Sequence, residues 1–162
     1  MKHSMRWAIA TAALFAACDN TSVAPDSAVR ERGPVLLRLT ASIADATIAI
    51  GDTTQMVVQV HNDGRDTVKL TFSTTCQTNA YITAADDELV YPRGGGWGCG
   101  QMLTFITIPP GEFNERRMPV WGTASASDEG LFALEPGQYK AYARLQHRDY
   151  PLVSPVVEFA VR

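Results

Sequence analysis

The chain has 162 residues, 46% of them hydrophobic, 19% charged and 9% aromatic, with a formal net charge of −3. That composition excludes wholesale disorder, no run reaches the roughly 18 apolar residues of a membrane-spanning helix, and the slight acidity excludes the basic surface of a general nucleic-acid binder. At roughly 100–200 residues per domain, the length predicts one folded domain.

In chain order, Met1-Lys2-His3-Ser4-Met5-Arg6 carries two fixed positive charges and no acid, residues 7–15 are apolar or small, and Ala16-Ala17-Cys18 follows. A charged start, a short apolar stretch and small residues at a cut are the parts of a secretory signal. Nine apolar residues reach roughly 14 Å as a helix, half of a ~30 Å hydrocarbon core. Phe15-Ala16-Ala17-Cys18 also resembles the lipobox of bacterial lipoproteins, with Phe15 where Leu is usual. The resemblance implies cleavage before Cys18, lipidation of its thiol, and anchorage in the bacterial cell envelope, facing the periplasm or the exterior. It also implies several acyl chains, and several are what stable anchorage requires. A plain secretory signal and a retained helix are the other readings of these residues.

Residues 18–34 are polar, hold two prolines and show no periodicity, which predicts a disordered tether between a signal peptide at 1–17 and a folded domain at 35–162. From Cys18 onward twelve bases stand against seventeen acids. Anionic lipid would repel such a domain, so the membrane enters as an anchorage through lipid only.

From Val35 the dominant signal has period two. Leu37, Leu39, Ala41 and Ile43 alternate with Arg38, Thr40 and Ser42, and Met56, Val58 and Val60 with Gln55, Gln59 and His61. Val68, Leu70 and Phe72 alternate with Thr67, Lys69 and Thr71. Between the last two runs, His61-Asn62-Asp63-Gly64-Arg65-Asp66 predicts a hairpin turn, because Asn-Asp-Gly tolerates positive φ. Residues 79–84 and Leu89-Val90-Tyr91 read as shorter strands around an Asp86-Asp87-Glu88 turn. Residues 102–108, densely apolar and ended by Pro109-Pro110-Gly111, predict a central strand. Residues 113–121 predict another, with Pro119 placing it at an edge. Tyr139, Ala141, Ala143 and Leu145 alternate with polar or bulky outward residues, and Val157, Phe159 and Val161 close the chain. No stretch holds a capped 3.6-residue pattern. Seven to nine short strands predict an all-β antiparallel sandwich. Leu134-Glu135-Pro136-Gly137-Gln138-Tyr139 resembles the tyrosine corner of immunoglobulin-like and fibronectin-III-like sandwiches, a motif marked here by Leu134, Pro136 and Tyr139, with a simple Pro-Gly turn as the other reading.

Three cysteines are an awkward number for an exported protein. With Cys18 taken by lipid, Cys76 and Cys99 remain, and in an oxidising compartment a disulfide is expected. Its separation of 23 residues corresponds to about 3–3.5 kcal/mol in the chain-entropy model. Free thiols and a metal site are the alternatives, the latter without a CxxC pair or a histidine near either cysteine.

Catalytic signatures are not evident: no Gly-x-Ser-x-Gly, no His-Glu-x-x-His, no phosphate-cradling or dinucleotide glycine motif. His61 and His147 stand at strand ends. No enzyme, cofactor or metal is expected. The unusual feature is Tyr91-Pro92-Arg93-Gly94-Gly95-Gly96-Trp97-Gly98-Cys99-Gly100, where five glycines surround Arg93 and Trp97, residue types enriched among interface hot spots. It reads either as a binding loop on a rigid sandwich or as a connection whose Trp97 folds back over the sandwich edge.

Asn62, Val68-x-Leu70-x-Phe72, Pro110-Gly111-Glu112, Trp121 and Leu134-Glu135-Pro136-Gly137-Gln138-Tyr139-Lys140-Ala141-Tyr142 together resemble the BsuPI-type proteinase-inhibitor domain, a small β-sandwich family. The resemblance implies the fold and a protease as partner; an export signal and a disulfide would make that protease extracytoplasmic. The expectation is therefore a non-catalytic, lipid-anchored binding module with a protein partner, and no nucleic acid. The alternative is a structural or accessory envelope domain without a dedicated ligand.

Overall fold

The computed structural model describes residues 34–92, 96–123 and 133–162. The signal segment 1–17 and, but for Pro34, the tether 18–34 lie outside the described residues. Twelve strands run through the described part and no helix: β1 Leu37–Ile43, β2 Thr47–Ile48, β3 Thr53–Asn62, β4 Val68–Phe72, β5 Thr78–Ala84, β6 Leu89–Tyr91, β7 Thr104–Ile108, β8 Phe113–Gly122, β9 Ala133–Leu134, β10 Gly137–Leu145, β11 Leu152–Val153 and β12 Val157–Val161. Three of these are two-residue pairings, which leaves nine strands of ordinary length.

They form one four-stranded sheet in the order β1-β3-β8-β9, a second in the order β2-β12-β10-β5-β6 with β11 on β10, and a two-stranded ribbon of β4 and β7. Alternation along each strand sends one set of side chains inward. Met56, Val58, Val60, Met118 and Val120 from the first sheet meet Ile82, Ala141, Leu145 and Phe159 from the second, and Leu70, Phe72 and Ile108 of the ribbon complete one apolar cluster. Ala80, Ala141 and Ala143 are fully buried on neighbouring strands of the second sheet. Small side chains there leave room for the larger ones opposite, so the layers can interdigitate. The molecule is an all-β, immunoglobulin-like sandwich.

Tyr139 closes its corner: its hydroxyl donates to the Glu135 carbonyl at 2.7 Å, beside the buried Leu134, and its ring stacks on Phe159. Pro119 sits on β8, whose pairing with β9 is confined to Trp121 and Gly122, so the preceding stretch of that strand is an open edge among the described residues.

Two local expectations are corrected. The turn at 61–66 is not a hairpin: β3 pairs with β1 and β8, whereas β4 pairs with β7, so the chain arches from one layer to another. None of Asn62, Asp63 or Gly64 has positive φ. The arch is set by the Asn62 side chain, which donates to the carbonyls of Asp66 at 2.8 Å and Ile108 at 2.9 Å and accepts the Gly64 amide at 3.0 Å. Its backbone accepts the Gly111 amide at 2.9 Å and donates to the Glu112 carbonyl at 3.0 Å. Asn62 thereby ties the 61–66 arch to the facing Pro109-Pro110-Gly111-Glu112 turn, where Gly111 takes the positive φ of 75° that a type II turn requires at its third position. Nor is the 102–108 run a central strand. Only residues 104–108 are extended, they pair with β4 alone, and Met102, Leu103 and Phe105 face solvent.

Candidate functional site

At the Phe72–Thr104 end of the ribbon three connections meet: 73–77 from β4 to β5, the part 96–103 of the connection from β6 to β7, and 146–151 from β10 to β11. The first two are joined by the Cys76–Cys99 disulfide, with Cα atoms 5.4 Å apart. Around it Thr75 and Gly100 bond twice: the Thr75 amide to the Gly100 carbonyl, and the Gly100 amide to the Thr75 hydroxyl, each at 2.9 Å. The Thr104 hydroxyl donates to the Thr74 carbonyl at 2.8 Å, and the Gln146 amide to the Gln77 carbonyl at 2.9 Å, bringing in the third connection. Polar loops close together satisfy their backbone groups in this way when no sheet is available.

A groove of about 860 Å³ lies between the ribbon and the 146–151 connection, with Lys69, Phe72 and Leu103 on one side and His147, Tyr150 and Pro151 on the other. The His147 ring packs edge-on against Phe72 at 5.4 Å and tilts over Tyr150 at 5.2 Å, and its Nδ1 accepts the Asp149 amide. Lys69 Nζ stands 4.8 Å from the centroid of the exposed Phe105 ring, a cation–π contact at the groove's lip.

The residues singled out from the sequence are distributed as follows. Trp97 is half-buried and packs edge-on against Tyr91 at 5.1 Å and Tyr81 at 6.4 Å; Tyr81 in turn stacks on Tyr142 at 5.2 Å, with the Arg144 guanidinium over both rings. Its indole lies on the domain's own aromatics. Arg93 lies outside the described residues, as does the lipidation candidate Cys18. The Asp86-Asp87-Glu88 turn is engaged within the fold: Asp87 Oδ1 accepts Lys140 Nζ at 2.7 Å, a hydrogen bond that raises the lysine's pKa, and Asp86 accepts the Glu88 amide. Among the described residues no three His, Cys, Asp or Glu side chains gather where they could hold a metal ion.

Met102, Leu103 and Phe105 were hidden from sequence reasoning by their very apolarity. A signal was there: Ile106 and Ile108 share one phase of the alternation, whereas Leu103 and Phe105 occupy the other. A strand apolar in both phases is buried on two faces or presents one of them.

The sandwich and its stapled loop end define a class: an immunoglobulin-like domain that carries its connections on a rigid frame. The model of the family described as intracellular proteinase inhibitor, BsuPI, matches residues 42–150. This covers most of the chain, which therefore belongs to that family. Among solved structures the chain is similar to the CARDB domain of a Pyrococcus furiosus protein in complex with di-metal ions, at 12% identity over 81% of this chain and 91% of that one, with a TM-score of 0.47. It is also similar to a portion of a β-glucosidase of Erythrobacter marinus, at 14% identity over 79% of this chain and 16% of that one, with a TM-score of 0.45. A third is the alkylpurine DNA glycosylase AlkC of Pseudomonas fluorescens bound to DNA containing an abasic site analog, at 12% identity over 78% and 30% of the two chains, with a TM-score of 0.43. Comparison with curated proteins gives no match.

Proposed function

We propose that the chain is a non-catalytic, lipid-anchored proteinase inhibitor of the bacterial cell envelope, acting on an extracytoplasmic protease. The observation that carries this reading is the Cys76–Cys99 disulfide inside a domain of a proteinase-inhibitor family. Disulfides persist in oxidising compartments and are rare in the cytosol, so the bond supports export of a domain whose relatives are described as intracellular. The Ala16-Ala17-Cys18 sequence supports the same compartment and supplies the anchor. Inhibition asks only that a rigid surface occupy the proteinase's cleft more tightly than substrate does. A sandwich whose loops are held by a covalent bond and by hydrogen bonds on both sides loses little freedom on docking, and that cost otherwise erodes affinity.

Two measurements test the reading. The purified chain, titrated against serine, cysteine, metallo and aspartic proteinases with a protein substrate, should inhibit one class stoichiometrically. Inhibition of none would leave the accessory-domain alternative standing. In cells, Cys18→Ser should move the protein from the membrane fraction to the soluble exported fraction. Unchanged membrane association would reject the lipid anchor.

A further inference from the structure

Leu103, at 69% exposure, is the most exposed large apolar side chain among the described residues, and it stands between Met102 at 58% and Phe105 at 60%. Scattered surface hydrophobes need no explanation. Three within four residues form a ridge, and contiguous exposed apolar surface marks an interaction site. This ridge is also held in place. Cys99 is bonded to Cys76, the Gly100 backbone is bonded to Thr75, the Met102 amide donates back to the Gly100 carbonyl at 3.0 Å, and Thr104 is bonded to Thr74 on the far side. The apolar residues are therefore offered to solvent on a backbone bracketed before and after.

Charge narrows the partner. From residue 34 onward ten Lys and Arg stand against fourteen Asp and Glu, yet the groove behind the ridge reverses that balance, with Lys69 and Arg148 against Asp149. A local basic lip on an acidic domain complements an acidic rim and steers it into register. At the opposite end of the ribbon the exposed apolar side chains Leu36 and Phe113 stand on separate segments and are less exposed, at 52% and 48%, and Arg38 and Asp63 pair with each other at 2.8 Å.

Resting on the inhibitor reading, we infer that the Met102–Leu103–Phe105 ridge is the surface that enters the proteinase. Leu103 fills a specificity pocket that accepts large apolar side chains, Met102 and Phe105 flank its mouth, and Lys69 and Arg148 face an acidic rim that seats in the groove. The partner is thus an endoproteinase with an apolar primary pocket, and the loop acts by occupancy alone.

The test uses the purified chain with chymotrypsin, whose pocket is a hydrophobic slot, and trypsin, whose pocket carries a carboxylate. The expected result is inhibition of chymotrypsin and not of trypsin. Leu103→Asp should weaken that inhibition roughly a hundredfold, and Met102→Ser and Phe105→Ser about five- to tenfold each, as for a central anchor and its flanks. Leu103→Arg should transfer inhibition to trypsin. All four variants should keep the parent's melting temperature, because the replaced side chains are exposed. Inhibition of chymotrypsin unaffected by Leu103→Asp would overturn the assignment while leaving the inhibitor reading intact. So would inhibition confined to another proteinase class. Failure to inhibit any proteinase would remove the reading and the assignment together. A chain that is dimeric until Leu103→Asp makes it monomeric would give the ridge to a second copy and overturn the proposal.

Discussion

The two ends of the β4–β7 ribbon are ordered by opposite means. At the Val68–Ile108 end no covalent bond crosses between the turns; the fully buried Asn62 joins them through three hydrogen bonds, with Ile108, Gly111 and Glu112, and shapes its own arch with two more, to Asp66 and Gly64. At the Phe72–Thr104 end the disulfide and the Thr75–Gly100 pair hold the loops, and apolar side chains remain outside. Burial normally supplies both stability and order. Where side chains have to face a partner, burial is not available, and order has to come from bonds that do not consume the presented surface. The disulfide at one end and the buried amide at the other are thus alternative solutions to the problem of fixing a loop. The covalent one carries the more exposed apolar side chains, Met102, Leu103 and Phe105.

Breaking each device separately sharpens this contrast. The largest effect is expected from removing the disulfide in a Cys76→Ser, Cys99→Ser double variant. Closing a loop of 23 residues' separation corresponds to about 3.4 kcal/mol of unfolding free energy in the chain-entropy model, readable by denaturant titration. The Thr75, Gly100 and Gln146 amides should lose hydrogen-exchange protection while Gly111 keeps its own. Asn62→Ala should do the reverse. It strands the Ile108 and Asp66 carbonyls and the Gly64 amide, and at about 1–3 kcal/mol per buried unpaired group, partly relieved by water, the loss should come to about 3 kcal/mol. Exchange should then accelerate at Gly64 and Gly111 and not at Gly100. A variant of either kind that loosened both ends equally would show that the ribbon transmits disorder along its length.

How much of this was legible beforehand differs between the same two ends. The alternation in β1, β3, β4 and β10 is local and reads directly, because one face of each strand meets the core and the other is the more exposed. The cysteine pairing followed from setting Cys18 aside. The arch at 61–66 was misread because Asn-Asp-Gly is compatible with a hairpin and with an arch alike, and what decides between them is the Ile108 carbonyl, 46 residues away. The ridge was misread for a related reason. Hydrophobicity reports what a residue would gain by burial and not whether a neighbouring layer exists to bury it. For 102–105 no such layer covers Met102, Leu103 and Phe105 among the described residues. Trp97 could be read as a presented anchor or as a cover; Tyr81 and Tyr91, which it meets, stand on a strand pair that local sequence does bring together, but no local pattern says that the indole lands on them.

The smallest expected effects come from titration, and they too separate regions of the molecule. Tyr139→Phe removes one hydrogen bond, that to Glu135, for about 1 kcal/mol near neutral pH. The Tyr139 hydroxyl is pushed above its ordinary value, first by burial and then by the Glu135 carboxylate, so the fold favours the protonated form. Stability from this group is complete below about pH 10 and is lost as pH rises beyond it. The phenylalanine variant should therefore show a shallower alkaline limb in a plot of stability against pH. In acid the signs reverse. Asp63 is held down chiefly by its hydrogen bond from Arg38, and Glu115 by bonds from Gln59 and Arg117. His61 is lowered first by desolvation and then by Arg38, against an opposing pull from Asp63. Depressed values mean that stability is lost as pH falls, from about 6.5 downward for the histidine and from about 4 downward for the carboxylates. His61 and Asp63 flank Asn62, so mild acid should loosen the Asn62 end first, and exchange at Gly64 should respond between pH 7 and pH 4 before exchange at Gly100 does. Arg38→Gln should flatten that response. An acid response beginning instead at Gly100 would mean that the stapled end is the weaker of the two despite its covalent bond.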